Sequence, residues 1–164
     1  MRALSVSVLL FLLVGCDIPE RVSRLEKQTK EIQSEKDRVT DYDLQAKCSK
    51  DAKAWFNENW SRDKDTVLLD FSNHYNKSGN KCFIFIEYHY NSEVAVPGGN
   101  SWTNHMSLWN VYENIKYGEF DENHNTYYKP KFDSSDEVIS CAMLNQKCKT
   151  IGEFNNLVKP YMSN

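Results

Sequence analysis

The sequence predicts an α+β domain in which an antiparallel sheet of about four strands packs with one helix before it and one after it, raised on a helical stalk. Three observations carry this prediction. Apolar residues recur at helical spacing up to Phe56. From Thr66 onward, runs of β-branched and aromatic residues alternate with turn-forming residues. Near the C-terminus, Thr150 and Glu153 stand in capping-box spacing ahead of a short apolar face. The 164 residues suffice for one core with accessory segments, and Trp 4, Tyr 9 and Phe 8 supply large areas to bury.

The N-terminus reads as a leader. Met1-Arg2 place a positive charge first, Ala3 to Val14 form an almost unbroken apolar run, and Gly15-Cys16 follow directly. This is the layout of a secretory signal peptide. A helix of about 12 residues at about 1.5 Å each falls well short of the roughly 30 Å of a bilayer core.

The residues Leu13-Val14-Gly15-Cys16 resemble the lipobox of bacterial lipoproteins, a resemblance confined to the leader. It implies a diacylglyceryl group on the Cys16 thiol, cleavage just before Cys16, and acylation of the new amine. Each buried CH₂ contributes roughly 0.8 kcal/mol, so two or three chains hold a protein firmly where one binds reversibly. Asp17 resembles the signal that keeps enteric-type lipoproteins in the inner membrane, which favours that membrane, on its periplasmic side, over the outer one. On this reading 1–15 is a signal peptide, 16–43 an acylated N-terminus and stalk, and 44–164 a disulfide-containing α+β domain.

From Ile18 to Thr40 the chain has no glycine, no aromatic residue and many charges, so it cannot carry a core of its own. Val22, Leu25, Thr29, Ile32, Lys36 and Val39 alternate by three and four, the a/d spacing of a coiled-coil seam, and Ile18 extends it backwards. Two of the three a positions, Thr29 and Lys36, are polar. The pattern therefore permits a marginal parallel homo-oligomer and equally an isolated charged helix or spacer. Thr40 and Asp43 form a capping box, so a second helix is expected to start there, with Leu44, Cys48, Ala52, Trp55 and Phe56 on its apolar face.

Thr66–Phe71 and Lys81–Tyr90 predict an antiparallel hairpin closed by Asn76-Lys77-Ser78-Gly79-Asn80. Val94 to Ser101, with Pro97-Gly98-Gly99-Asn100, predicts a loop. Trp102 to Phe120 predicts a long strand, Asp121 to Asn125 its closing turn, Thr126 to Phe132 its partner and Asp136 to Met143 an edge strand. The last helix carries Ile151, Phe154, Leu157 and Val158 and stops near Pro160.

With Cys16 lipidated, Cys48, Cys82, Cys141 and Cys148 remain, and an even number in an exported chain predicts disulfides. Of three connectivities, Cys48 to Cys82 with Cys141 to Cys148 is favoured. The first would staple the helix to a central strand and the second would close a local loop. A zinc site is disfavoured because no Cys-x₂-Cys pair exists and the compartment is oxidising. No metal or cofactor is implied.

The formal net charge of -3 gives nucleic acid no electrostatic footing. His74, His89, His105 and His124 are mutually separated and form no His-Glu-x-x-His. There is no Gly-x-Ser-x-Gly elbow, Walker loop or dinucleotide fingerprint. Glu87, Glu113, Glu119 and Asp121 could supply an acid/base pair, but nothing selects two of them. The stretch Asn100 to Asn110 interleaves aromatics with amides and hydroxyls, which suits sugar or peptide recognition as well as a half-buried strand. Trp102, His105 and Trp109 are its candidate binding residues. The sequence thus predicts a non-catalytic interaction or accessory role at a membrane reached through the lipid anchor, with an envelope protein as partner. The alternative is a binding or hydrolytic protein acting on glycan, peptidoglycan or peptide.

Overall fold

The computed structural model of the protein describes residues 18–91, 99–127 and 135–163. The leader, Cys16 and Asp17 lie outside these residues, as do 94–98 of the expected Val94 to Ser101 loop, whose 99–101 instead belong to a strand, and 128–132 of the expected partner strand. In chain order the elements are α1 Ile18–Asn59, β1 Thr66–Asn76, β2 Lys81–Asn91, β3 Gly99–Asn110, β4 Ile115–Tyr127, β5 Ser135–Met143, β6 Gln146–Lys147 and α2 Ile151–Val158. They fall into two compact units, Met1–Asp43 and Leu44–Asn164. No described helix is long and apolar enough to cross a membrane.

In the first unit α1 is exposed from Ile18 to Thr40, including its apolar residues Ile18, Val22, Leu25, Ile32 and Val39. Pairs such as Glu20–Arg24 and Glu35–Arg38 line its surface, each worth roughly 0.3–0.5 kcal/mol. The second helix expected at Thr40 does not start there, because α1 runs through that point unbroken. No glycine or proline interrupts residues 20–59, and the Thr40 hydroxyl donates to the Lys36 carbonyl at 2.9 Å in place of capping.

Among the described residues of the second unit, six antiparallel strands pair in sequence order, β1 to β6, as a meander. The fold class is the predicted α+β, with more strands than expected. The long strand predicted over Trp102 to Phe120 is in fact β3 and β4, joined at residues 111–114. There the Asn110 side-chain carbonyl accepts the Tyr112 N–H and Asn114 adopts a left-handed φ of 52°. Asp121 to Asn125 are interior to β4, pairing with Ser101 to His105, and are not a turn. The hairpin of β1 and β2 closes through residues 77–80, as predicted.

β2 explains how both sheet faces are filled. Cys82, Ile84 and Ile86 point to one face, where Leu69 joins them against Cys48 and Ala52 of α1, with Trp55, Phe56 and Trp109 at the margin. Phe83 and Phe85 point to the other, with Met106, Leu108, Phe120 and Met143 under Phe154 and Val158 of α2. A strand covered on both faces reads as a continuous apolar run, as residues 82–86 do. Cys48–Cys82 (Cα–Cα 5.4 Å) ties α1 to β2, and Cys141–Cys148 (5.0 Å) closes the end of β5. At α2, Thr150 accepts the Glu153 N–H at 3.2 Å while the Glu153 carboxylate accepts the Lys149 N–H at 2.7 Å, completing a capping pair.

Candidate functional site

The sheet face that carries Ile84 and Ile86 changes character along the strands. Alternate residues on that face of β2 run from Ile84 and Ile86 to Tyr88 and Tyr90. On β3 the same face passes from Trp109 through Ser107 to His105 and Thr103, and on β4 from Glu119 to Asp121 and Asn123. The apolar half is core. The other half is an array of hydrogen-bonding groups beside aromatic rings.

Asp121 is the centre of that array. It lies opposite His105 in the β3–β4 register and opposite Ser140 in the β4–β5 register. One carboxylate oxygen meets His105 Nδ1 at 2.5 Å, and the other accepts the Ser140 hydroxyl at 2.5 Å. Burial opposes its ionisation, but the bonds from His105 and Ser140 and the charges of His105 and Lys116 outweigh this and hold its carboxyl below the ordinary aspartate range. Two residues along each strand, on the same face, Thr103 donates to Asn123 Oδ1 at 2.7 Å.

Trp60 supplies the aromatic wall. It follows α1 directly, its N–H bonded to the Phe56 carbonyl, and its ring stacks on His105 at 5.8 Å. The same ring meets Tyr88 edge-on at 5.8 Å, and Tyr88 stacks on Tyr90 at 4.9 Å. With Nδ1 committed to Asp121, Nε2 is the nitrogen that His105 can present to a ligand. Ser140 bonds the carboxylate and not the imidazole, so the three residues do not form the nucleophile–base–carboxylate relay of a hydrolase. Chemically the array can orient a polar group against a stacked aromatic surface.

The three residues singled out in the sequence are not gathered into one site. His105 and Trp109 share this face, but Trp109 belongs to the core margin, against Trp55 at 5.4 Å with its indole N–H on Ser107. Trp102, an odd number of positions away, points to the opposite face. There its ring stacks on His124 at 3.9 Å, and His124 sits between Glu122 (3.0 Å) and Asp136 (2.8 Å). His89 and Asn104, register partners on that face, each bury a side-chain atom with no hydrogen-bond partner among the described residues, Nε2 and Oδ1 respectively.

Three of the four carboxylates considered for acid/base work, Glu113, Glu119 and Asp121, are engaged with different neighbours. Glu113 bonds Lys81 at 2.9 Å and also takes the Asn110 amide, Glu119 pairs with Lys116, and Asp121 holds His105. Among the described residues no group of three or more His, Cys, Asp or Glu is placed to hold a metal ion. Trp60, Tyr88 and Ser140 escaped sequence reasoning, because only strand register and the end of α1 bring them to His105. No protein-family model matches the chain, and neither does any curated protein or solved structure.

Proposed function

We propose that the chain is an exported bacterial envelope lipoprotein, anchored through acyl chains on Cys16, with a non-catalytic interaction or accessory role. The observation that carries the reading is the lipobox Leu13-Val14-Gly15-Cys16 placed directly after a short apolar run. Export accords with a domain held by two disulfides, which persist in oxidising compartments. Asp17 favours the inner membrane, facing the periplasm, and the partner is an envelope protein. The non-catalytic part is supported by the way Asp121, Glu113 and Glu119 are each engaged with a different neighbour and by Ser140 lying on a carboxylate. The test is palmitate labelling. Cys16→Ser should abolish incorporation and release the protein from the membrane fraction, and unchanged labelling of that variant overturns the reading.

A second reading has its own support. The Trp60–His105–Asp121 array with Tyr88 and Tyr90 joins stacking surfaces to hydrogen-bonding groups, a combination suited to hydroxyl- and amide-rich ligands such as glycan, peptidoglycan or peptide. Retention of the purified protein on insoluble peptidoglycan tests it. Trp60→Ala should cut retention severalfold while Trp102→Ala, on the other face, should not. Equal retention in both variants removes this array as the binding surface.

A further inference from the structure

We propose that residues 18–43 pair with the same segment of a second copy of this chain as a parallel, in-register, two-stranded coiled coil. Along this segment the apolar side chains stand in water. Ile18, Leu25, Ile32 and Val39 are 57%, 61%, 70% and 52% exposed, and Val22 is 47% exposed. All four d positions are apolar, so the stripe is regular over more than three heptads, about the length at which a seam becomes meaningful. It is also separate from the stripe that builds the domain core. Val39 and Leu44 stand five positions apart, which breaks the three–four spacing, and from Leu44 onward the apolar residues pack on the sheet.

The flanking charges select the partner and its direction. In a parallel in-register pair each g residue faces the e residue five positions on in the other chain. Here that sets Arg21 against Glu26, Gln28 against Gln33, and Glu35 against Thr40. One contact is attractive, one joins two amides, and none is repulsive; symmetry doubles each. Lys36, an a residue, packs beside Glu35 of the second copy, which gives its ammonium a carboxylate at the seam edge.

Lys36 also limits the number of strands. Isoleucine at d pulls toward larger bundles, but those enclose their a residues more fully, and enclosing an ammonium costs far more than the preference at d returns. A two-stranded seam lets the lysine stem pack while its head reaches water. The pairing does not depend on the anchor at Cys16, so it can fail or hold independently of the lipoprotein reading.

The experiment uses the full chain, in its membrane and in detergent. Leu25→Cys, at a d position, should give a covalent homodimer under mild oxidation, whereas Lys27→Cys, at f, and the parent chain should not. An antiparallel pair would hold two copies of position 25 too far apart to link. Arg21→Glu should weaken the detergent-solubilised dimer roughly tenfold in sedimentation, and Arg21→Glu with Glu26→Arg should restore it. A monomer or trimer at tens of micromolar, a crosslink from Leu25→Cys to a different protein, equal crosslinking at positions 25 and 27, or no rescue by the double reversal each overturns the proposal.

Discussion

Asp121 shows how a half-buried carboxylate can organise its surroundings. Its two oxygens connect β3 through His105 to β5 through Ser140, and these bonds favour the ionised form. The folded carboxyl therefore titrates lower than the unfolded one, and its contribution to stability is present above the ordinary aspartate pKa of about 4. That contribution is lost as pH falls through the lowered folded value. Urea unfolding across a pH series should show the parent protein losing stability below about pH 4, and Asp121→Asn should flatten that limb. At neutral pH the substitution should cost roughly 1.5–3 kcal/mol, the scale of hydrogen bonds to a charged group. Gly118 makes a different demand at the same scale. A Cβ there would lie 2.8 Å from the Ala142 carbonyl oxygen and would meet the Met143 side chain. Gly118→Ala should therefore lower stability by about 1–3 kcal/mol in thermal or urea unfolding, because β5 cannot yield without disturbing its register.

Among the elements, those with local signals were legible in the sequence. Asn76 to Asn80 mark the β1–β2 hairpin, and Thr150, Glu153 and Pro160 mark α2. The β3–β4 turn was not legible, because Val111-Tyr112-Glu113-Asn114 contains neither glycine nor proline, and its geometry rests on Asn110 and Asn114. Asp121 to Asn125 looked like a turn because all five residues are polar. In β4 they alternate instead, Asp121 toward His105 and Glu122 and His124 toward the face of Trp102. Polarity on both faces of a strand imitates a loop when only composition is read. The cysteines join elements whose loops differ in length, which separates their energetic effects. A sequence separation of 34 for Cys48–Cys82 against 7 for Cys141–Cys148 gives chain-entropy stabilisations of roughly 3.8 and 2.4 kcal/mol. Replacing the first pair with alanine should therefore lower the urea midpoint more than replacing the second. The reverse order would show that the unfolded-state argument does not govern these bonds.

For the whole molecule, the sequence is most explicit about address and least explicit about activity. The proposed lipobox, Leu13-Val14-Gly15-Cys16, is a contiguous pattern and can be read without a fold. The array around His105 combines residues from Trp60 to Ser140, joined only by the register of β2 to β5 and the end of α1, so no spacing in the sequence announces it. The proposed anchor would also bear on the chemistry of the domain. If Cys16 carries lipid, the remaining four cysteines pair evenly, as Cys48–Cys82 and Cys141–Cys148 do. The anchored reading is tested most directly by the intact mass of the protein recovered from its own membrane. The account predicts a mature chain beginning at Cys16, with a diacylglyceryl group on its sulfur and an acyl group on its amine. A chain that begins elsewhere, or carries an unmodified Cys16, would contradict it.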